Sequence, residues 1–185
     1  MTFFDYSMPV RPVDEFGIRD DTEGKKNFRK SHLSEEPADQ KQMLPAEELP
    51  AFIDYTCKEK WNAVVESYGR EDFNFIPVDN NIPYLDENGN EKSRCDAIIF
   101  TERTIVFIEL KDKDRNWLTD AIAQLKSTIG HFMEEEDISR FKYKKAYACN
   151  RSHPYFNYQF KDCMQRFYRE TGIPLRPEMV IKNIK

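Results

Sequence analysis

The sequence predicts an α/β fold in which a mixed central β-sheet is flanked by helices. Segments in which apolar residues recur at helical spacing alternate along the chain with short, almost continuous apolar runs. Two of those runs are separated by only a few polar residues, which is typical of a hairpin. The chain has 185 residues, 39% of them apolar and 14% aromatic, so it can bury one substantial core. We therefore expect a single domain over residues 46–185.

The predicted elements follow one another without repeats or low-complexity tracts. Residues 1–45 are rich in charged residues and proline and have no sustained apolar period, so they predict a polar N-terminal arm. In the domain we expect a long first helix that ends at Gly69, three strands, a second long helix, a fourth strand, a third helix and a short extended piece. The segments that predict them are 45–69, 73–78, 94–100, 104–110, 115–136, 144–150, 155–172 and 178–184.

The sequence argues against a membrane protein and against a protein held together by disulfides or a zinc site. No stretch reaches the roughly 18 unbroken apolar residues that a membrane helix needs, and the N-terminus lacks a basic start followed by an apolar run. We therefore expect a cytoplasmic protein with no membrane partner. The cysteines have no CxxC pairing and the three histidines lack zinc-ligand spacing, so free thiols are expected; the cysteines are Cys57, Cys95, Cys149 and Cys163.

The net charge of −5 hides an uneven distribution of charge along the chain. Residues 140–185 carry eleven basic against three acidic side chains, so the rest of the chain is strongly acidic. The segment 139–151 has five basic residues, no acid and three interleaved aromatic residues. This pattern suits the binding of phosphates by Lys142, Lys144 and Lys145. The alternative is a strand whose exposed edge is protected by lysines.

A buried strand that ends in opposite charges indicates a site. The run "IVFIELKDK" at 105–113 places Glu109 and Lys111 on one face of a strand. A two-residue turn at 102–103 would pair Asp96 directly with Glu109. Like charges opposed across a sheet are destabilising, and a divalent cation such as Mg²⁺ removes the conflict. The alternative is a solvated ion pair at the strand end, with Asp96 simply starting a strand.

These residues resemble the bipartite motif of the PD-(D/E)XK, or restriction-endonuclease-like, nuclease superfamily, over about residues 47–182. The resemblance implies a core of a helix, a three-strand meander, a helix and a strand, here with an extra helix and strand. It implies Mg²⁺-dependent hydrolysis of phosphodiester bonds in nucleic acid, with DNA expected and Mn²⁺ able to substitute. Asp96, Glu109 and the backbone carbonyl of Leu110 would hold the metal, and Lys111 would be the catalytic base or a charge stabiliser. Cys95 stands where the motif has proline.

Further side chains are candidates for the same site. Glu59 and Glu66 share a stripe of the predicted first helix, and we favour Glu66 as an added metal ligand; a solvated helix face is the alternative. Gln124 lies beside the apolar stripe of the second helix and is a catalytic candidate or a boundary polar residue. Three basic residues flank strand ends and could bind phosphate or simply be exposed: Lys113, Arg115 and Arg151.

Two further function classes stay open because a fold does not dictate an activity. One is a non-catalytic module on the same fold that binds nucleic acid or a protein. The other is a metal-dependent enzyme acting on a different phosphorylated substrate. An intact set of Asp96, Glu109 and Lys111 favours the nuclease, and a homodimer is compatible with each alternative. Cleavage assays with Mg²⁺, Mn²⁺ or EDTA would discriminate among them.

Overall fold

Two β-sheets and two helices form the fold in the computed structural model, which describes residues 2–21, 49–113, 116–152 and 160–184. The strands are β1 (Met8–Pro9), β2 (Glu15–Arg19), β3 (Phe52–Asp54), β4 (Ala63–Glu66), β5 (Asn74–Pro77), β6 (Ala97–Phe100), β7 (Thr104–Lys111), β8 (Tyr143–Asn150), β9 (Leu175–Arg176) and β10 (Val180–Ile181). The helices are α1 (Trp117–Glu135) and α2 (Lys161–Thr171). Short 3₁₀ turns cover Phe3–Tyr6, Lys58–Lys60 and Ile138–Arg140.

The larger sheet is mixed and has six strands in the order β1-β5-β6-β7-β8-β9. Strands β1, β5, β6 and β7 are antiparallel neighbours, whereas β7–β8 and β8–β9 are parallel pairs. Helix α1 connects β7 to β8, which is the crossover that a parallel pair requires. The central strands β6 and β7 are almost entirely buried, in agreement with their continuous apolar sequence.

The two faces of the six-stranded sheet are covered by different layers. One face packs against α1 and α2, through a core that includes Phe107, Leu125 and Phe167. The other face packs against a second sheet of order β10-β4-β2-β3, through Phe16, Val65 and their neighbours. The α/β class with mixed sheets is therefore as expected, but both helices lie on one face and a small sheet covers the other.

The predicted first helix is wrong for the described part of its segment, residues 49–69. This stretch forms β3, a 3₁₀ turn and β4. The Asp54 carboxylate accepts hydrogen bonds from the backbone N–H groups of Thr56 and Cys57, at 2.8 and 3.3 Å, and this local turn competes with helix formation. Burial alternates residue by residue along β4, with Ala63 and Val65 facing inward, as in a strand with one buried face. The same apolar residues also fit helical spacing, which is why the sequence predicted a helix here.

Residues 2–21 of the expected N-terminal arm fold against the core and contribute strands to both sheets. Strand β1 pairs with β5 in the larger sheet, and β2 lies between β3 and β4 in the smaller one. Phe16 and Ile18 are fully buried, but two apolar residues in a five-residue strand are too few to give a clear period. The remainder of the expected arm, residues 22–48, lies outside the described residues.

The described helices and the four cysteines bear on two further expectations, the absence of a membrane span and free thiols. None of the helices there is long and apolar enough to cross a bilayer. All four cysteines have free thiols, and two of them, Cys95 and Cys149, are buried in the core.

Candidate metal centre

Two buried carboxylates face each other at the end of the β6–β7 hairpin. The register pairs Ala97 with Ile108 and Phe100 with Ile105, and the Thr101 N–H donates to the Thr104 carbonyl at 2.9 Å. One step beyond the last paired residues, this register places Asp96 opposite Glu109. The exposed fractions of Asp96 and Glu109 are only 7% and 1%, so both carboxyl groups lie largely out of water.

The hydrogen bonds of these two side chains leave one acceptor unused. Asp96 Oδ2 accepts a 2.6 Å hydrogen bond from the Leu110 N–H, and Glu109 Oε1 accepts from the Lys111 ammonium. Glu109 Oε2 is buried and has no hydrogen-bond partner among the described residues. Burying a carboxylate oxygen without a partner costs free energy, so an acceptor of this kind points to a missing ligand or proton.

Burial and mutual repulsion shift the titration of both carboxyl groups. Burial, followed by the charge of Asp20, raises the pKa of Asp96 to about 7. Burial, followed by the charge of Asp96, raises the pKa of Glu109 well above its ordinary value. Burial would lower the pKa of the Lys111 ammonium, but the adjacent Glu109 carboxylate raises it, so the lysine stays charged. Without a cation the two carboxyl groups therefore retain protons at a pH at which ordinary carboxyl groups have lost them.

Helix α1 contributes an amide that fixes the lysine. Gln124 Oε1 accepts a 2.5 Å hydrogen bond from Lys111 Nζ, and Gln124 Nε2 donates to the Arg94 carbonyl at 3.0 Å. Cys95 is buried, and its N–H donates to Thr128 Oγ1 on the same helix at 2.7 Å. Gln124 and Thr128, one turn apart on α1, therefore both hydrogen-bond to the backbone just before Asp96.

The donor set fits a hard cation that binds oxygen. The Arg151 N–H donates to the Lys111 carbonyl at 3.1 Å, so the backbone of Lys111 faces β8 and that of Leu110 faces Asp96. Two carboxylates and the Leu110 carbonyl are then available, and Mg²⁺ binds through one or two carboxylates while it keeps several waters. No group of three or more His, Cys, Asp or Glu side chains in the described residues is arranged to hold a metal.

Glu66 and Glu59 do not belong to this site, contrary to the expectation from the sequence. Glu66 pairs with Glu15 at the far end of β4, and its alternation places it on the face turned away from the six-stranded sheet. Its carboxylate accepts a hydrogen bond from the Tyr68 hydroxyl at 2.5 Å. Glu59 is exposed on a 3₁₀ turn. Glu66 was the favoured candidate, and Glu59 shares its stripe, only if this segment is a helix.

Two acidic residues near the site were missed. Asp79 follows Val78, whose N–H donates to the Asp96 carbonyl at 2.9 Å, and its charge raises the pKa of both Asp96 and Glu109. It could have been found, because it directly follows the strand expected beside Asp96. Asp20 follows β2 in the other sheet, and its approach to Asp96 has no signal in the sequence.

The basic candidates are divided between the two ends of the sheet. Strands β7 and β8 run parallel with Thr104 opposite Tyr143 and Lys111 opposite Asn150. Because Glu109 lies opposite Ala148, Lys142, Lys144 and Lys145 lie roughly 10 to 20 Å along the strand from the carboxylates, at roughly 3.3 Å per residue. Lys144 Nζ donates to the Phe141 carbonyl at 2.6 Å, and Lys145 Nζ donates to the carbonyls of Lys182 and Asn183 at 3.1 and 2.8 Å.

Two basic residues are exposed at the same end of the sheet as the carboxylates. Lys113 follows β7, and its carbonyl accepts a 2.7 Å hydrogen bond from Asn150 Nδ2. Arg151 follows β8, and its guanidinium pairs with the Asp112 carboxylate. Arg115 lies outside the described residues. The expected phosphate-binding residues therefore do not form one surface.

Comparison with known proteins adds no relative. A scan against protein-family models, a search of curated proteins and a search of solved structures each found no match to this chain.

Proposed function

We propose that this protein is a Mg²⁺-dependent nuclease that hydrolyses phosphodiester bonds in nucleic acid, with DNA as the expected substrate. The observation that carries the proposal is the unpartnered, buried Oε2 atom of Glu109 beside the opposed carboxylate of Asp96. A solvated ion pair at a strand end would not be 1% exposed and would not leave an acceptor unsatisfied. A cation supplies both the missing partner and the missing positive charge.

The order of elements from β5 onward supports a restriction-endonuclease-like core. An antiparallel meander of β5, β6 and β7 is followed by a long helix and then by a strand parallel to β7. Asp96, Glu109 and Lys111 lie at the end of this meander, as the resemblance implies. The helix that the resemblance implies before the meander has no counterpart in residues 49–69, where the chain forms the small sheet instead.

Each side chain has a role that its surroundings allow. Asp96, Glu109 and the Leu110 carbonyl would hold the cation, which when bound supplies positive charge to the scissile phosphate and lowers the pKa of an attacking water. Lys111 carries a fixed positive charge beside that position and stabilises the negative charge that develops on the phosphate oxygens. Gln124 holds the ammonium through its Oε1 atom, so that the charge is oriented before substrate arrives.

The direct test is incubation with plasmid DNA, linear DNA and RNA in the presence of Mg²⁺, Mn²⁺ or EDTA. We expect cleavage with either metal and none with EDTA. The Glu109→Gln variant should lose this cleavage because Gln cannot supply the negative ligand, whereas Glu66→Gln serves as the control and should cleave normally. Metal-dependent cleavage that persists in Glu109→Gln would contradict the proposal.

A non-catalytic nucleic-acid-binding module is a separate outcome of the same experiment. Retention of nucleic acid in a mobility assay, with no cleavage under any metal condition, would exclude the nuclease and favour that module. Metal-dependent cleavage by the wild type, with none by Glu109→Gln, would exclude the non-catalytic module.

A further inference from the structure

The chain that carries Asp96 runs past the end of the β6–β7 ladder. Ala97 and Ile108 are the last paired residues at this end of the hairpin. Beyond them the Leu110 N–H donates at 2.6 Å to the Asp96 side chain, where a regular ladder would use a backbone carbonyl. The position of the backbone that leads into Asp96 therefore depends on contacts other than the ladder of this hairpin.

Helix α1 supplies such contacts to the single peptide group between Arg94 and Cys95. Thr128 Oγ1 accepts a 2.7 Å hydrogen bond from the Cys95 N–H, and Gln124 Nε2 donates to the Arg94 carbonyl at 3.0 Å. Gln124 and Thr128 are four residues apart, so they lie one above the other on the same helix face. Both polar groups of the peptide that lies just before Asp96 are thus bound by one helix.

The two contacts differ in their exposure to water. Gln124 is half-buried, so water can replace its bond to the Arg94 carbonyl if the amide is removed. Thr128 and Cys95 are 1% and 0% exposed, so water has no comparable access to the Cys95 N–H. A buried N–H without an acceptor is costly, and its hydrogen bond therefore fixes the backbone where Thr128 Oγ1 lies.

The residue type at position 128 is not explained by the helix alone. Threonine is a weaker helix former than alanine or leucine. The buried neighbours of Thr128 on α1 are apolar: Leu125, Ile129 and Phe132. A hydroxyl in such a place is tolerated when it is hydrogen-bonded, and Thr128 Oγ1 is bonded to the Cys95 N–H. Contact with the chain that enters Asp96 therefore accounts for the threonine.

We propose that Thr128 is a positioning residue of the cation site, which places the Asp96 carboxylate opposite Glu109 by holding the Cys95 backbone. The inference rests on the proposed function and adds to it a residue that touches neither the cation nor the substrate. Mg²⁺ demands near-ideal octahedral geometry with ligands at about 2.0–2.1 Å, so a small displacement of one carboxylate weakens binding. Mn²⁺ also binds oxygen ligands and serves as the probe.

The test compares the wild type with Thr128→Val and Thr101→Val. Thr128→Val keeps the shape of the side chain and removes the acceptor. Thr101→Val is the matched control, because Thr101 is also 1% exposed and its Oγ1 accepts a 3.1 Å bond from the buried N–H of Thr104, at the opposite end of the same hairpin. Each change removes the acceptor of one buried N–H, so both variants should melt at lower temperatures than the wild type in EDTA.

Only Thr128→Val should weaken the cation site. Loss of a group that orients a metal ligand typically lowers metal affinity by about 10- to 100-fold, so the Mn²⁺ dissociation constant from calorimetric titration should rise about tenfold. In Thr101→Val it should equal that of the wild type. Cleavage of DNA by Thr128→Val should fall at low Mn²⁺ and recover at saturating Mn²⁺, because a higher concentration offsets weaker binding. A loss of stability alone would not produce this recovery.

Thr128→Ser and Thr128→Ala provide a second comparison, which decides the question even if Thr128→Val fails to fold. They differ from each other only in the hydroxyl oxygen, so Thr128→Ser should bind Mn²⁺ nearly as tightly as the wild type and Thr128→Ala more weakly. Equal Mn²⁺ dissociation constants in these two variants, or in Thr128→Val and Thr101→Val, would overturn this inference and leave the nuclease proposal standing. Absence of Mn²⁺ binding by the wild type would overturn both.

Discussion

Gln124 accepts a 2.5 Å hydrogen bond from Lys111 and donates one of 3.0 Å to the carbonyl of Arg94, two residues before Asp96. One amide on α1 thus contacts both strands of the hairpin that carries the opposed carboxylates. Because Lys111 also pairs with Glu109, its ammonium is fixed by two acceptors and has one direction in which to act. This arrangement makes separate predictions for the lysine and for the amide.

Lys111→Ala should lower Mg²⁺-dependent cleavage by about 100-fold or more, because it removes a positioned charge from the transition state. Glu109 loses its ionic partner but can take a proton, since its pKa is already raised by burial and by Asp96, so the fold should persist. Cleavage rates and far-UV circular dichroism check both points. Unchanged turnover in this variant would remove Lys111 from the mechanism.

Gln124→Ala should slow cleavage about tenfold, less than the loss of Lys111, because the ammonium keeps its bond to Glu109. A tenfold change corresponds to about 1.4 kcal/mol of transition-state stabilisation. The expected Mn²⁺-induced rise in melting temperature should stay as in the wild type, since the Gln124 amide hydrogen-bonds to Lys111 and to the Arg94 carbonyl and not to the carboxylates of Asp96 or Glu109. If Gln124→Ala weakened Mn²⁺ binding as much as turnover, Gln124 would not act only by positioning Lys111.

Stability of the metal-free protein should fall as the pH rises from about 4, the ordinary value for carboxyl groups, to about 7, the raised pKa of Asp96. In this range the folded state holds protons that the unfolded chain has released, so the slope is negative. Asp96→Asn removes one of these titrations and the repulsion with Glu109, so it should leave stability at pH 8 unchanged or higher. Thermal melts in EDTA across this range check both expectations.

Mn²⁺ displaces the retained protons, so its stabilising effect on the wild type should increase between pH 5.5 and 8. In Asp96→Asn the effect should shrink, because one anionic ligand is gone. The same melts with millimolar Mn²⁺ provide the measurement. Equal metal shifts in the two proteins would place any cation away from Asp96.

The salt dependence of nucleic-acid binding should depend on the basic residues at the carboxylate end of the sheet. Each phosphate contact contributes roughly 0.7 to 0.9 to the log–log slope. Replacing Lys113 and Arg151 with Gln should therefore flatten the slope by about 1.4 to 1.8. The triple change of Lys142, Lys144 and Lys145 to Gln should leave it unaltered, because those lysines lie at the opposite end of β8. A slope that flattens in the triple variant and stays unaltered in the double variant would place the nucleic-acid interface at the end of β8 that carries Lys144 and Lys145.

Gly17→Ala should severely destabilise the fold, because a Cβ atom at this position would lie 2.1–2.2 Å from ring atoms of Trp61. Trp61 is 2% exposed, so its ring has little room to move, and overpacking typically costs about 1–3 kcal/mol or more. Gly130→Ala is the matched control. It lies within α1 with open space around it and should stabilise by about 0.5–1 kcal/mol. Urea denaturation of both variants measures the difference, and a fully stable Gly17→Ala would contradict the packing described.

Local sequence patterns were sufficient to predict the β6–β7 hairpin and helix α1. The two-residue turn at 102–103 fixes the register by counting, so the opposition of Asp96 and Glu109 follows from the sequence alone. The stripe that includes Ala121, Leu125 and Ile129 gives α1 its buried face in the same way. In both cases the residues that determine the structure are close together along the chain.

Non-local contacts determined the parts that could not be predicted. Strand β4 is stabilised by β2 and β10, which lie far from it in sequence, and its residues alone also satisfied a helical period. The charge of Asp20 acts on Asp96 because β2 belongs to a second sheet that packs on the first. The lysines of β8 could not be placed before its direction relative to β7 was known, since an antiparallel pairing would have put them beside Lys111.

The position of β4 between partners from both ends of the described chain has a kinetic consequence. Glu15 pairs with Glu66, and Val180 pairs with Val64, so the small sheet closes only when widely separated segments meet. Contacts of large sequence separation slow folding.

The two tryptophans report on different layers, because Trp61 lies against Gly17 of β2 and Trp117 packs in the helical layer. In stopped-flow refolding of Trp→Phe variants, we expect the Trp117 signal to change before the Trp61 signal; a single shared phase would mean that the layers form together.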